Sequence, residues 1–305
     1  MPELAEVEHS RRQWDPGLGL PVLEVLLARP EIRVFRDTDT ASLRQLLPGQ
    51  RLLDSQARGK QMLFHFSGDL WLGIHLGMSG ELRRENGPEE APRKHDHLIL
   101  RQTSHALVFE DKRHFGRVRL HQGTAPPAWW DSLAPSVLSK EFTYEGTAAF
   151  LQRRRRTPVK AVLLMQEHFP GVGNWMADEI LWRAKVHPST PAGALDEALT
   201  RQIWEQVRWV SRTAVRIISD DWTYPPDWLF THRWEAGGEC PRCQTALDRA
   251  TVGGRTTCWC PQCQPAAKSA APQPAAKVSK KRPVAKKAVP AASKPKKTLR
   301  VKARH

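Results

Sequence analysis

The segment PVKAVLLMQEHFPGVGNWMADEILWRA, residues 158–184, organises the second half of the chain. Apolar residues recur at helical spacing on both sides of the glycine-containing turn GVGN, residues 171–174, which predicts two helices joined by a tight turn. Asn174 is placed to cap the second helix, because an asparagine side chain accepts hydrogen bonds from the free N–H groups of a helix start. Prolines within residues 187–191 should end that helix.

The residues before this segment have the two-residue period of β-strands. In DLWLGIHLGMSGEL, residues 69–82, apolar residues alternate with others from Leu70 to Met78, which is typical of a half-buried strand. The stretch DHLILRQTSHALVFED, residues 96–111, predicts a hairpin with its turn near QTSH. Residues 195–217 carry the three- and four-residue spacing of a long amphipathic helix. The chain is therefore expected to be an α+β protein.

Two CxxC motifs, CPRC and CPQC, lie sixteen residues apart near the end of this region. Such a pair fits a tetrahedral site of four thiolates, in which each motif supplies two ligands, Cys240 and Cys243, then Cys260 and Cys263. The residues between them predict a β-hairpin. We expect one structural zinc ion, although the spacing does not distinguish zinc from rubredoxin-type iron. Cys258 falls outside the pattern and is expected to be a packing residue.

The charge of +15 is unevenly distributed over the 305 residues. Residues 265–305 hold ten lysines, three arginines and no acid, whereas the preceding residues are nearly neutral. This low-complexity tail is expected to be disordered and to bind DNA without sequence preference, or else to act as a solubilising appendage. No segment has the length of a membrane helix or the pattern of a signal peptide, so a cytoplasmic, nucleoid-associated protein is expected.

The first residues, MPELAEVE, allow two interpretations. Pro2 suits the first turn of a helix, where its missing N–H is not needed. Alternatively, removal of Met1 would make Pro2 a secondary amine that attacks an aldehyde-like carbon to form an iminium. Glu3 and Glu6 would then lie on one helical face and carry protons. These residues alone leave both interpretations open.

Other candidate residues are equally ambiguous when each is taken alone. Lys60 precedes an apolar strand and is typical of a solvated strand end. Arg255 on the hairpin suits phosphate, because its donors match two phosphate oxygens, but solvated arginines are common. Met78 and Phe115 are compatible with a core, and Arg113 with a solvated loop.

Taken in order along residues 1–264, however, the motifs resemble those of the formamidopyrimidine-DNA glycosylase/endonuclease VIII family. The matching segments are PELAEVE, GIHLGMSGEL, KHDHLIL, DKRHFG, PGVGNWMADEILW and GGRTTCWCPQCQ. The resemblance implies an α+β, multidomain fold. It would have an N-terminal β-sandwich or barrel with flanking helices over residues 1–130 and a helix–two-turns–helix domain over 131–236. A four-cysteine zinc β-hairpin over 237–264 and the disordered tail, 265–305, would follow.

The resemblance also implies a monomeric, bifunctional DNA glycosylase and abasic-site lyase that acts on double-stranded DNA containing damaged bases or abasic sites. Pro2 would attack the sugar, Glu3 would protonate the ring oxygen and Glu6 would help to hold these groups. Lys60 would contact phosphate and assist strand cleavage. Further phosphate contacts would come from Lys160, Asn174 and Arg255. The gap left by the flipped base would be filled by Met78, Arg113 and Phe115.

The chain departs from the family pattern in three places. Ala5 replaces a proline, and Lys112 and His114 alter the loop that follows the second hairpin strand. Residues 218–234, ISDDWTYPPDWLFTHRW, replace the GGTT-like loop that covers 8-oxoguanine in the family. We therefore expect the chemistry to be retained and lesion choice to be shifted away from 8-oxoguanine. The alternative is a non-catalytic protein that binds damaged DNA or chromatin. A zinc hydrolase is disfavoured, because four cysteines leave no open coordination position.

Overall fold

The computed structural model describes residues 1–87 and 91–266, so residues 267–305 of the predicted tail lie outside the described residues. The first half of the chain consists mainly of strands. Its elements are α1 (Leu4–Arg12), β1 (Glu24–Leu27), α2 (Thr40–Leu46), β2 (Leu52–Arg58), β3 (Gln61–Phe66), β4 (Leu70–His75), β5 (Gly80–Glu85), β6 (Asp96–Arg101), β7 (Ala106–Asp111) and β8 (Arg117–Gln122).

These strands form two antiparallel sheets of four strands each, in the orders β2-β3-β4-β8 and β1-β6-β7-β5. Alternate residues of both sheets are buried together, for example Phe64 and Phe66 of β3 with Leu98 and Phe109 of β6 and β7. Alternation along each strand directs one face inward, so the two inner faces share one core. The expected β-sandwich is confirmed.

The hairpin predicted over residues 96–111 is present as β6 and β7, and the Gln102 N–H donates to the His105 carbonyl across its turn at 2.9 Å. The single strand predicted from Leu70 to Met78 is wrong. Strand β4 ends at His75, and β5 begins at Gly80 in the other sheet. The break occurs at Gly77, whose φ of +67° is incompatible with a strand.

The second half of the chain is helical. Its helices are α3 (Ala128–Asp131), α4 (Tyr144–Arg153), α5 (Val159–Leu163), α6 (Asn174–Arg183) and α7 (Glu197–Asp220). Short 3₁₀ turns occur at Asp15–Gly17, Arg33–Phe35, Ala192–Ala194 and Leu229–Thr231. The apolar stripe of α7, which includes Ile203, Val207 and Val210, packs into a core shared with α6. The predicted α+β fold is thereby confirmed, and among the described residues no helix combines the length and apolarity needed to cross a membrane.

The cysteine-bearing segment forms a two-stranded antiparallel hairpin of β9 (Asp248–Val252) and β10 (Arg255–Trp259). The predicted hairpin is thus present, and its bend is at Gly253 and Gly254, both with positive φ. The base of the hairpin packs on Trp182 of α6 and on Leu229. The hairpin is therefore attached to the second helix of the helix–turn–helix segment.

Gly77→Ala should destabilise the protein strongly, because the turn at Gly77 rests on the loop after β7. A Cβ there would lie 2.4 Å from the Phe115 carbonyl carbon and 2.5 Å from the Gly116 nitrogen. Gly49 is the matched control, since its φ is +84° but a Cβ there would meet nothing within 4 Å. Urea unfolding should show a loss of about 1 kcal/mol for Gly49→Ala and of roughly 3 kcal/mol or more for Gly77→Ala. Equal losses would contradict the close packing of the two loops.

Candidate active site

The carboxylate of Glu3 caps helix α6. Its Oε1 accepts the Trp175 N–H at 3.0 Å, and its Oε2 accepts the N–H groups of Gly173 at 3.0 Å and Met176 at 3.1 Å. The Leu4 N–H also donates to the Gly171 carbonyl at 3.0 Å. The free N–H groups and positive end of a helix stabilise a carboxylate placed there. The first residues of the chain are therefore fixed to the GVGN turn.

This arrangement corrects two expectations from the sequence. Asn174 does not cap α6 but is its first residue, and its Nδ2 donates instead to the Thr256 carbonyl of the hairpin at 2.8 Å. Pro2 lies before α1, which begins at Leu4, so the interpretation of Pro2 as a first-turn helix residue is wrong. Sequence pattern could not reveal the cap, because Glu3 lies about 170 residues from the helix that it caps.

Glu6 connects the same elements. Its Oε2 accepts the Glu3 N–H at 3.1 Å, and its Oε1 accepts the indole N–H of Trp175 at 2.9 Å. Burial raises the pKa of Glu3 to about 7, the neighbouring Glu6 charge adds to this effect and Lys60 opposes it. Burial also raises the pKa of Glu6. The site therefore contains a carboxyl group that exchanges a proton near neutral pH.

A cavity of about 820 Å³, here called the main cavity, opens beside Glu3. Five predicted site residues line it: Glu3, Lys60, Met78, Asn174 and Arg255. Lys60 lies in the turn between β2 and β3, where burial lowers its pKa, and the preceding Gly59 packs against Pro170. Residues that are distant in sequence, from the strand region, the helices and the hairpin, therefore line the same cavity.

A second cavity of about 400 Å³ adjoins the main cavity, and Met1, Met78, Trp175 and Trp234 line both. We call it the aromatic pocket, after four of its lining residues: Trp175, Trp222, Phe230 and Trp234. Pro2 and Glu6 line this pocket. Met1 lines both cavities, whereas Glu3 lines only the main cavity and Pro2 and Glu6 line only the aromatic pocket, so the N-terminal residues border both spaces.

The predicted gap-filling residues are exposed on two adjoining turns. Met78 is 39% exposed and Phe115 43%, and the Arg113 guanidinium lies 5.2 Å from the centre of the Phe115 ring. The buried Asp111 accepts the Ser79 hydroxyl at 2.7 Å and the N–H groups of Arg113 at 3.1 Å and Gly116 at 2.7 Å. Asp111 thus holds both turns together. Sequence reasoning missed this role, although an acid that ends a strand before a tight loop is a suitable signal.

Lys160 has a different environment from the other phosphate-binding candidates. Its side chain is fully buried, and its ammonium donates to the Asn174 carbonyl at 2.7 Å and pairs with Asp178. Asp178 also pairs with Arg233 at 2.5 Å and accepts the Cys258 N–H at 3.2 Å. The structure thus places Lys160 away from the surface that a direct phosphate contact requires. Asp178 and Arg233, which sequence reasoning missed, connect α6 to the hairpin.

The four cysteines of the two CxxC motifs come together, with their sulfur atoms within 4.8 Å of one another. The Sγ of Cys243 lies 3.5 Å from those of Cys260 and Cys263, and Cys240 lies 4.0 Å from Cys263. Tetrahedral coordination with metal–sulfur bonds of about 2.3 Å separates the sulfurs by roughly 3.8 Å, whereas a disulfide requires about 2.05 Å. The cluster therefore fits one metal ion, and Cys258 is buried outside it as expected.

Comparisons with known proteins agree with this architecture. Residues 1–118 match the family model of the formamidopyrimidine-DNA glycosylase N-terminal domain, and residues 133–223 match that of the formamidopyrimidine-DNA glycosylase H2TH domain. The chain is 36% identical over 278 residues to the formamidopyrimidine-DNA glycosylase of Thermus thermophilus, covering 87% of this chain and 98% of the relative. It is 33% identical over 276 residues to that of Chloroflexus aurantiacus, with the same coverage.

Solved structures show the same relationship. The Lactococcus lactis formamidopyrimidine-DNA glycosylase, bound noncovalently to DNA containing an abasic site, matches with a TM-score of 0.75 at 26% identity. The match covers 87% of this chain and all of that protein. The same enzyme with DNA containing an oxidised pyrimidine matches with a TM-score of 0.76. The chain therefore belongs to the formamidopyrimidine-DNA glycosylase family of base-excision-repair DNA glycosylases, for which abasic-site lyase activity is typical.

Proposed function

We propose that Pro2, freed by removal of Met1, is the nucleophile of a bifunctional DNA glycosylase and abasic-site lyase. The observation that carries this proposal is the fixation of the N-terminal residues at the junction of the two cavities by Glu3 and Leu4. An N-terminal amine has an ordinary pKa of about 8, well below that of lysine, so about a tenth of it is uncharged at neutral pH, far more than of a lysine. Such an amine is suited to attack carbon.

In the proposed reaction the Pro2 nitrogen bonds to C1′ of the damaged nucleotide as the glycosidic bond breaks and the base leaves. Protonated Glu3, whose pKa is about 7, supplies a proton to the sugar ring oxygen. The ring opens to an iminium, which makes the C2′ hydrogens acidic; Glu3, ionised after its first proton transfer, takes a C2′ proton, and the electron pair of that bond expels the 3′ phosphate by β-elimination. Glu6 positions Glu3 and Trp175 through its two hydrogen bonds.

Lys60 and Arg255 line the main cavity and provide positive charge for the DNA backbone. We propose that they and Asn174 bind the phosphates that flank the flipped nucleotide. Lys160 supports this surface, because its ammonium holds the Asn174 carbonyl. Met78, Arg113 and Phe115 would occupy the space left in the duplex, as exposed apolar wedges do in other proteins that unstack DNA.

We also propose that the four-cysteine site holds a structural zinc ion. Cys240, Cys243, Cys260 and Cys263 would complete its coordination, so the metal would supply rigidity to the hairpin and no chemistry. The Cys260 N–H donates to Gln264 Oε1 at 3.0 Å, and the Gln264 amide donates to the Val186 carbonyl at 2.8 Å, which ties the cluster to the helical region. The hairpin in turn carries Arg255 at the start of β10.

The proposed protein acts as a monomer on double-stranded DNA with damaged bases or abasic sites, in the cytoplasm at the nucleoid. Its division into residues 1–130, 131–236 and 237–264 is supported by three buried clusters made mainly of strand, helix and hairpin residues; Leu4 and Ala5 join the helical cluster, and Trp182 and Leu229 join that of the hairpin. Residues 218–234, which pack as an aromatic segment against Trp175, support a shift of lesion choice away from 8-oxoguanine.

Pro2→Gly should weaken covalent trapping of the enzyme on abasic DNA by borohydride. Glycine retains an amine but lacks the pyrrolidine ring that makes the nitrogen secondary and fixes its direction, and a misplaced nucleophile lowers rates on the order of 100-fold. Trapping of the wild-type protein followed by intact-mass and peptide analysis should locate the adduct on Pro2, with Met1 absent. A wild-type protein that forms no adduct would instead support the non-catalytic DNA-binding alternative.

Glu3→Gln should lower base excision by about 10²- to 10⁴-fold, the usual contribution of a general acid. The wild-type single-turnover rate should fall as pH rises through about 7, because Glu3 then loses the proton that it donates. Glu3→Gln should lack this limb of the pH profile. Glu205→Gln, which removes an exposed carboxylate of α7, is the control and should retain it. A falling limb that persists in Glu3→Gln would assign the acid to another group.

Arg255→Ala should weaken DNA binding about equally for all sequences and reduce the slope of log affinity against log salt by about 1, the loss expected for one phosphate contact. Arg201→Ala removes the same charge from α7, where Arg201 pairs with Glu197 away from both cavities. Binding titrations over a range of salt should show no change of slope for this control. Equal slopes for Arg255→Ala and the wild type would exclude the proposed contact.

A further inference from the structure

The end of helix α7 has an unusual residue in a left-handed conformation. Trp222 follows the helix with a φ of +63°, and its N–H donates to the Ile217 carbonyl at 3.0 Å. Helices commonly end in this way, but the residue is usually glycine, because a side chain there is strained. Any bulky residue at this position makes the fold less stable than glycine would. The strain therefore makes the indole a candidate for a role of its own.

The Trp222 indole is not used to fill a core. It is 46% exposed, and its ring packs edge-on against His9 of α1 with centroids 4.7 Å apart. Trp234, 54% exposed, lines the same aromatic pocket and packs against Phe230, with centroids 5.2 Å apart. Two large rings are thus held by neighbouring rings while much of each remains free. Apolar rings that are exposed together beside a cavity are a feature of ligand-binding sites.

The aromatic pocket differs in charge from the main cavity. The described residues that line it include no lysine or arginine, but do include Glu6 and Glu81. The main cavity, in contrast, is lined by Lys60, Arg233 and Arg255. A phosphate group therefore suits the main cavity, whereas an uncharged ring suits the aromatic pocket. Pro2 lines the aromatic pocket and its neighbour Glu3 lines the main cavity, so a sugar bonded to Pro2 would lie between the two.

We propose that Trp222, with Trp234, is the stacking surface for the flipped base, and that it selects planar heteroaromatic lesions over ring-saturated ones. This inference rests on the proposed function, because it needs a nucleotide attached to Pro2. Stacking on an aromatic side chain is favourable for any planar ring. A base with a saturated C5–C6 bond is puckered and presents substituents above its plane, so it loses this contact.

Trp222→Gly tests the inference, because it removes the indole and also relieves the backbone strain. A merely structural tryptophan would destabilise the protein when removed, whereas here the melting temperature should stay equal or rise. Single-turnover excision should be measured on duplexes containing a formamidopyrimidine, which is planar, or 5,6-dihydrothymine, which is ring-saturated. Strand cleavage at an abasic site, where no base is present, provides the reference rate for each protein.

For the formamidopyrimidine, the ratio of excision to abasic-site cleavage should fall about 10- to 100-fold in Trp222→Gly, the usual effect of losing one stacked ring. The ratio for dihydrothymine should change much less. Trp222→Phe, which keeps a ring, should restore most of the ratio and serves as the second variant if Trp222→Gly does not fold. Trp209→Ala, which removes a 40% exposed indole outside the pocket, should match the wild type.

The outcomes separate this inference from the proposed function. A wild-type protein that forms no borohydride adduct on abasic DNA overturns both. If the adduct forms but the excision ratio of Trp222→Gly equals that of the wild type, only the stacking role is overturned. Equal losses on the planar and the saturated lesion would overturn the selection for planar bases.

Discussion

The contact between Glu3 and the start of α6 is the constraint on which the site depends. A buried carboxylate needs donors, and a helix start has N–H groups without partners, so each satisfies the other. Helix α1 strengthens the junction, since Leu4 is buried with the helical core and Val7 with the strand core. The first residues of the chain are consequently held as firmly as an internal segment, which is a prerequisite for an N-terminal nucleophile.

Buried acids perform the same positioning task elsewhere. Asp111 accepts hydrogen bonds from one hydroxyl and two N–H groups and thereby holds the turns that carry Met78 and Phe115. Asp178 joins two cations and an N–H group of the hairpin. Removing one partner from such a cluster lowers the free energy of unfolding by more than the net contribution of the ion pair, because the remaining charge stays buried without a partner. Loops that would otherwise be mobile acquire fixed geometry in this way.

Much of this architecture could be predicted from local pattern. Local pattern is enough for the alternation of the strands, the apolar stripe of α7 and the CxxC spacing, because each depends on residues close together in sequence. The order of the motifs along the chain indicated the family. The errors arose where distant residues decide the outcome. Asn174 has the side chain of a helix cap, but Glu3 occupies that position and Asn174 binds the hairpin instead. The environment of Lys160 could likewise not be predicted, because its burial and its pairing with Asp178 depend on how α5 meets α6; its phosphate contact stays a prediction. The period of residues 70–78 continues through Gly77, although the backbone turns there.

The division between the two cavities would allow lesion choice to change, as we propose, while the chemistry stays constant. Glu3, Lys60 and Arg255 are positioned by the helix start, a strand turn and the hairpin, none of which involves residues 218–228. Trp175 is the link between the two parts, because its N–H groups bind Glu3 and Glu6 while its ring packs against Tyr224 and Phe230. Substitutions at Trp222 can thus alter which base is held without moving the carboxyl groups. Substitutions at Trp175 would disturb both functions together, since one residue anchors the acid and supports the wall that holds the base.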